Sequence, residues 1–548
     1  MFGIIGKAPP PRRMGVYGQN NQNRQGPAMR LLHPAFAPTP ARKPATSEPA
    51  CAQGWRRPGV VGRLLLAGGV ALLTGCSALA PVNPPITQVT PEAGYHLRSL
   101  MKRPRPTNNP QAMVLLAFSG GGTRAAALSY GLLEELRRTS VTVDGQARTL
   151  LDEVDLIAGV SGGSITALAY ALHGEHMFGQ FETRFLKRDV QGALVSRTLS
   201  PANWSRLGSP YYGRSELAAE FYDEILFEGA TFGDLVRRNT PVALVTGTDL
   251  STGARFEFSQ DHFDRICSDL STVRLSRAAA TSSAVPVVLT PVTYRNYGGT
   301  CDNQDPVWLQ DVANADQRVR PAGRALLRAR EINDLKDSQR RPYVHVIDGG
   351  VSDNLGLRGM LEAFEQMEAS EHFRHEIQFD KLRHIVVISV NSRSAPSTDW
   401  DRSPTPPGMM AQLLQSSSVP IDHFSYESVE LLKDIAQRWA NLRQMSIMRM
   451  RLAGMTRAQA EASVPQLTFD AIDVSFDAIT DAKERKYFME LPTSFRLSEE
   501  EVDRLRELAG RLLRESPTYQ VLLRRIKALA DEDAVTPPTA GGPAPAPH

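Results

Sequence analysis

Four cysteines in 548 residues are too few for a disulfide-stapled scaffold, and none has the spacing of a zinc site. No EF-hand loop and no His/Cys cluster occurs, so no metal is expected. There is no evident internal repeat. Basic residues are not in excess where it would matter. Ten of the 62 Lys and Arg, but one of the 59 acids, precede Cys76; the rest of the chain carries 52 basic against 58 acidic residues, a net of −6. A nucleic-acid binder keeps its basic surface in the folded part, so nucleic acid is not an expected partner. With 42% hydrophobic and 22% charged residues, wholesale disorder is excluded as well.

The basic residues are concentrated in a leader. Arg56 and Arg57 precede Val60 to Leu73, fourteen residues that are apolar apart from Arg63. As a helix this stretch spans about 21 Å, short of a roughly 30 Å hydrocarbon core. A basic segment, a short apolar segment and small residues before a cut read as a secretory signal over 1–75. Leu73-Thr-Gly-Cys76 resembles the lipobox of bacterial lipoproteins. That resemblance implies a lipidated Cys76 as membrane anchor, and an exported protein at the outer membrane facing the periplasm or cell surface. In such a compartment Cys267 and Cys301 could pair; two separate buried thiols is the alternative.

Residues 76–110, rich in Pro, Asn and Thr, read as a flexible tether, and 536–548, with five Pro, as a disordered tail. Between them, Met113 to Phe118 is a continuous apolar run suited to a strand buried on both faces. Ala125 to Arg138 is helical, with Leu128, Leu132, Leu133 and Leu136 along one side. Val154–Val160, Val242–Thr246, Val344–Ile347 and His384–Val390 are further strands with helices between. The alternation predicts an α/β fold with a largely parallel sheet and helices on both faces, over 111–400. Beyond it, 401–535 reads as a helical extension packed on the core. Its last helix has a capping box, Ser498 with Glu501, and a stripe of Val502, Leu505, Leu508 and Leu512 for packing against the sheet domain.

Three glycine-rich turns each follow a strand. Ser119-Gly120-Gly121-Gly122-Thr123-Arg124 can converge backbone N–H groups at a helix N-terminus, a nest for a phosphate or a transient oxyanion. Gly159-Val160-Ser161-Gly162-Gly163 is a G-x-S-x-G elbow between a strand and a helix, the context in which the serine hydroxyl is lifted out of the sheet. Asp348-Gly349-Gly350 closes a third strand. A serine hydroxyl needs a base, and a carboxylate in a dry site gains proton affinity.

Together the three turns, the second about 40 residues after the first and the third well downstream, resemble the patatin-like phospholipase family. Thr248 to Gly253 and Arg277 to Pro286 are similar to its middle strand and its small-residue helix. The similarity runs from about Val114 to Val390. It implies a three-layer α/β/α sandwich and a Ser–Asp dyad without histidine, with Ser161 as nucleophile and Asp348 as base. It also implies an oxyanion hole at Gly120, Gly121 and Gly122 beside Arg124, with Gly159, Gly163, Gly349 and Gly350 completing the motifs. Substrates would be membrane lipid acyl esters, of phospholipase A or lysophospholipase type, with no cofactor. The chain departs from the family at Ser119, where an Asp is common, at Ala125, where a Gly is, and in a long insertion over 294–341. That insertion reads as a lid or collar, or as an inert surface addition.

Rival readings are an α/β-hydrolase triad of Ser161, Asp249 or Asp348, and His384 or His423, a phosphate-binding module, and an inactive membrane-anchored scaffold.

Overall fold

The computed structural model describes residues 83–535, apart from 104, 106–108, 144, 303–304, 307, 311–322, 396–397 and 399. The expected leader with Cys76, the expected tail and part of the insertion lie outside the described residues.

The sheet begins with β1 (Ala112–Phe118), whose last five residues are all buried, as its unbroken apolar run requires. It passes through the triple glycine into α1 (Gly122–Arg138). Strand β2 (Val154–Gly159) and helix α2 (Gly162–His173) repeat the pattern around Ser161. Then come α3 (Arg214–Tyr222), β3 (Val242–Asp249), β4 (Arg255–Glu257), α4 (Leu275–Ser282) and β5 (Val292–Arg295). Next are α5 (Gly323–Asp334), β6 (Tyr343–Asp348), the short α6 (Gly350–Asp353), α7 (Arg358–Ala369) and β7 (His384–Asn391). The C-terminal part supplies α8 (Met409–Leu452), α9 (Arg457–Ser463), β8 (Thr468–Ser475) and α10 (Glu499–Glu515).

One eight-stranded sheet has the order β8-β7-β1-β2-β3-β6-β5, with β4 paired to β3. Five neighbouring strands, β8 to β3, run parallel; β6, β5 and β4 join antiparallel. With helices on both sides this is the expected α/β/α sandwich. Strand β3 is longer than its parallel partner and projects past the carboxyl edge of β2. Strand β6 pairs antiparallel with that projection, Gly247 opposite Asp348, and so returns toward the edge. Asp348 therefore ends near the level where β2 ends, although its strand runs the other way.

Three boundaries need correction. The segment 401–535 is not a purely helical addition: β8 pairs with β7 over eight residues, Thr468 opposite His384 through Ser475 opposite Asn391, and forms the edge of the sheet. The tether does not extend to 110, because from Asn83 the chain is packed on the body. Asn83 Nδ2 donates to Ser268 Oγ (2.8 Å), and Tyr95, 2% exposed, donates its hydroxyl to Ala243 O (3.1 Å). The insertion begins after β5 rather than at Tyr294, which is a buried strand residue. Its described part sits at the projecting β3–β4 end. Cys301 is disulfide-bonded to Cys267, Arg328 of α5 donates to Arg255 O (2.8 Å), and Arg341 pairs with Asp249.

Helix α10 packs along α1, burying Val502, Leu505, Leu508 and Leu512 as the stripe predicts. The two backbones nearly touch: a Cβ on Gly131 would overlap the carbonyl of Arg506. Arg506 in turn donates to Glu134 (2.9 Å) and Glu182 (2.6 Å), so the crossing is fixed by charge as well as by packing.

Candidate active site

Ser161 is the N-cap of α2 and has φ 50° and ψ −119°. A serine held there is strained, at a cost on the order of 1–3 kcal/mol, and needs neighbours that leave no alternative. They are present. Ser161 N donates to Ser282 Oγ (2.9 Å), which donates onward to Thr246 O (2.7 Å). Ser164 Oγ donates to Ser161 O (2.6 Å). The elbow tolerates only small residues, because a Cβ on Gly159 would lie 2.7 Å from Gly163 O and one on Gly163 would lie 2.6 Å from Phe118 O.

Asp348 ends β6 and is buried. Its Oδ1 accepts from Gly350 N (2.7 Å), and its backbone is pinned by Asp348 N to Ala284 O (3.0 Å) and by Thr248 Oγ1 to Asp348 O (2.8 Å). The Ser161 hydroxyl is near enough to act on its carboxylate. Burial pushes its pKa up from 3.8 to about 6, against the pull of the Gly350 N–H and the Ser161 hydroxyl. Gly349 is packed so closely on β3 that a Cβ would overlap Thr246 O. Ser161 and Asp348, 187 residues apart in sequence, thus lie on neighbouring turns.

The triple-glycine loop divides its labour differently from expectation. Gly120 is not a free donor, since its N–H is taken by Asn354 O (2.9 Å). Gly121 and Gly122 have φ of 138° and 61°, and their N–H groups find no acceptor among the described residues. Gly122 opens α1, Gly162 opens α2, and the two helix starts abut: a Cβ on Gly162 would overlap the Gly122 carbonyl. Two positive helix ends therefore meet beside Ser161, where developing negative charge is favoured.

Arg124 does not serve the hole either. It is buried, and its three guanidinium nitrogens donate to Ser392 O (2.8 Å), Leu491 O (2.5 Å) and Thr493 Oγ1 (3.0 Å). Burial lowers its pKa to about 10, opposed by the charge of Asp422 on α8. The side chain clasps the C-terminal chain to the loop instead of facing the serine. Ser119, the departure from the family pattern, has a clear part in this clasp. Its Oγ accepts from Ser392 N (3.0 Å), and Ser392 Oγ donates to Gly120 O (3.1 Å).

Sequence reasoning missed Ser282, Asn354 and Ser392. Ser282 lies within the small-residue stretch after Arg277 and could have been singled out there. Asn354 and Ser392 act through chain contacts that carry no local signal. The triad alternatives are not brought together. His384 starts β7 opposite Ala112 and bonds Thr468 Oγ1 (2.9 Å), so it sits at the amino edge of the sheet, about 20 Å along the strands from the serine. Asp249 is held by Arg341, and His423 is exposed on α8.

Residues 116–361 match the family model described as patatin-like phospholipase. No curated protein matches the chain significantly. Among solved structures the chain is similar to human GIVD cytosolic phospholipase A2, at 13% identity and TM-score 0.35, over 79% of this chain and 65% of that one. The same protein in complex with methyl γ-linolenyl fluorophosphonate is similar at 14% identity and TM-score 0.33, over 77% of this chain and 60% of that one. VipD from Legionella pneumophila follows at 12% identity and TM-score 0.26, over 76% and 67%. This chain thus spans less than two thirds of the human protein's length.

Proposed function

We propose that this chain, which carries a patatin-like phospholipase domain over residues 116–361, hydrolyses acyl esters of membrane lipids with Ser161 as nucleophile and Asp348 as base. The observation that carries the reading is the buried Ser161–Asp348 pair, with a carboxylate of raised proton affinity and two unclaimed N–H groups beside it.

In the proposed reaction Ser161 Oγ attacks the ester carbonyl as its proton passes to Asp348. The carbonyl oxygen becomes an oxyanion that accepts from Gly121 and Gly122 N–H, and one well-placed donor of this kind is worth about 3 kcal/mol of barrier. Asp348 then gives the proton to the departing alcohol oxygen, leaving acyl-Ser161. Water attacks the acyl group, its proton going to Asp348, and the collapsing intermediate releases fatty acid and takes the proton back on Ser161. A base with a pKa of about 6 suits both halves, ionised at neutral pH yet basic enough to accept a proton. Anchoring through a lipidated Cys76 would hold the site against its substrate.

The test is a fluorophosphonate. A single adduct on Ser161 is expected in the parent chain, none in Ser161→Ala, together with fatty acid release from phospholipid vesicles. A folded chain that takes no adduct would refute the reading.

A further inference from the structure

The side chain of Asn354 stands beside the Ser161–Asp348 pair without a task. Its backbone is used, since Asn354 O accepts from Gly120 N (2.9 Å) and so holds the start of the glycine loop. The amide itself is half-buried and makes no hydrogen bond among the described residues. Withdrawing an amide from water without giving it a partner is costly, so the fold alone supplies no reason to keep one here. Two neighbouring glycines locate it. A Cβ on Gly120 would lie 2.5 Å from Asn354 Oδ1 and 3.4 Å from Ser161 Cβ. A Cβ on Gly350 would lie 2.9 Å from the same oxygen and 3.0 Å from Asp348 Oδ1. Asn354 Oδ1 is therefore within about 6 Å of both the nucleophile's Cβ and the base, about the reach of two hydrogen bonds through one water. The oxygen, and not the nitrogen, is the amide atom nearest both glycines. A side chain at 120 or 350 would strike it.

We infer that Asn354 is a third catalytic residue, which holds the water that releases the acyl group from Ser161. Asp348 alone engages one O–H of that water and leaves it free to pivot. With a second acceptor at Asn354 Oδ1 both hydrogens are engaged, and a lone pair of the water oxygen turns toward the acyl carbon. Such orientation of a bound reactant is a large part of catalysis. The water oxygen bonds to the acyl carbon as its first proton passes to Asp348, and the oxyanion accepts from Gly121 and Gly122 N–H. Collapse then breaks the bond between that carbon and Ser161 Oγ, and Asp348 returns the proton to Oγ. The fatty acid departs with the hydrogen that Asn354 held. In the first half-reaction the attacking group is the Ser161 hydroxyl, so no water is needed and Asn354 has no part in it. The role deepens the hydrolase reading and rests on it.

The test uses the full chain and para-nitrophenyl butyrate, with rapid-mixing kinetics to separate the two half-reactions. Asn354→Leu keeps the shape and removes the acceptor, and it should slow deacylation on the order of a hundredfold. Then kcat and KM fall together, while kcat/KM and the rate of fluorophosphonate labelling at Ser161 keep the parent's values. Labelling at that rate also shows that the variant is folded. A burst of nitrophenol should precede slow turnover, with butyryl-Ser161 visible by intact mass. Asn354→Asp retains an acceptor and has no amide donor; at alkaline pH, with both carboxylates ionised, it should recover most of kcat. Hydroxylamine, a nucleophile that needs no base, should release the acyl group equally fast from the parent and from Asn354→Leu. An unchanged deacylation rate in Asn354→Leu overturns the proposal. So does a kcat/KM that falls as far as kcat with no acyl-enzyme, since the amide would then serve the oxyanion or the packing of the loop. In both of those cases a parent labelled at Ser161 leaves the hydrolase reading standing. A parent that neither labels nor turns over ester refutes that reading and this one together.

Discussion

Asp348→Asn should make the protein more stable and nearly inactive, and the two effects have one cause. Burial holds the carboxyl pKa at about 6 against 3.8 in water. That difference means the ionised group costs the folded state about 3 kcal/mol relative to the unfolded chain. The sign follows from proton binding. Between pH 3.8 and 6 the native protein binds the proton that the unfolded chain has lost, so the cost grows as pH rises through this window and is complete above it. Asparagine has no charge to desolvate, and its Oδ1 can still accept from Gly350 N. The variant should therefore exceed its parent by up to about 3 kcal/mol in urea unfolding at pH 8, by less at pH 5, and by almost nothing near pH 3. Fluorophosphonate labelling of Ser161 should slow by roughly 10²–10⁴ in the variant. In the parent it should rise with pH through a single ionisation near 6 to a plateau. A variant less stable than its parent at pH 8, or a stability gain that does not change with pH, would refute the assignment of Asp348 as a desolvated base.

Gly162→Ala puts a methyl group into the Gly122 carbonyl and forces the two helix starts apart. It should destabilise by about 1–3 kcal/mol and abolish labelling, as read by unfolding and intact mass. Cys267→Ser/Cys301→Ser opens a link across a sequence separation of 34, worth about 3–4 kcal/mol in loop entropy. Because that link ties the insertion to the turn after Ile266 and not to the loops around Ser161, labelling at 25 °C should be unchanged while the urea midpoint falls.

The parts of the fold written in local sequence were legible: an unbroken apolar run for β1, mainly apolar runs for β2 and β7, and glycines where backbone meets backbone around Ser161 and Asp348. Strand β8 was not. Thr468 to Ser475 carries Asp470 and Asp473, which are tolerated because Arg525 and Ser389 meet them. Those partners are visible only in three dimensions. What the Gly120 N–H and the Arg124 guanidinium donate to was not legible either, since their acceptors are Asn354, Ser392, Leu491 and Thr493. The Cys267–Cys301 pairing stayed open in the sequence because it depends on a Cα separation of 5.6 Å that spacing does not encode.

The clasp of Arg124 onto Leu491 and Thr493 spans sequence separations of 367 and 369. Strand β7 lies between β1 and β8, so the sheet is likewise unfinished until Ser475 is in place. Contacts of such high order are made last and slowly. The loop beside the nucleophile thus cannot take its final form while the chain is still emerging: nearly the whole polypeptide must be present first. Topology alone therefore delays any lipid-cleaving activity until synthesis is almost complete, with no propeptide or inhibitor required.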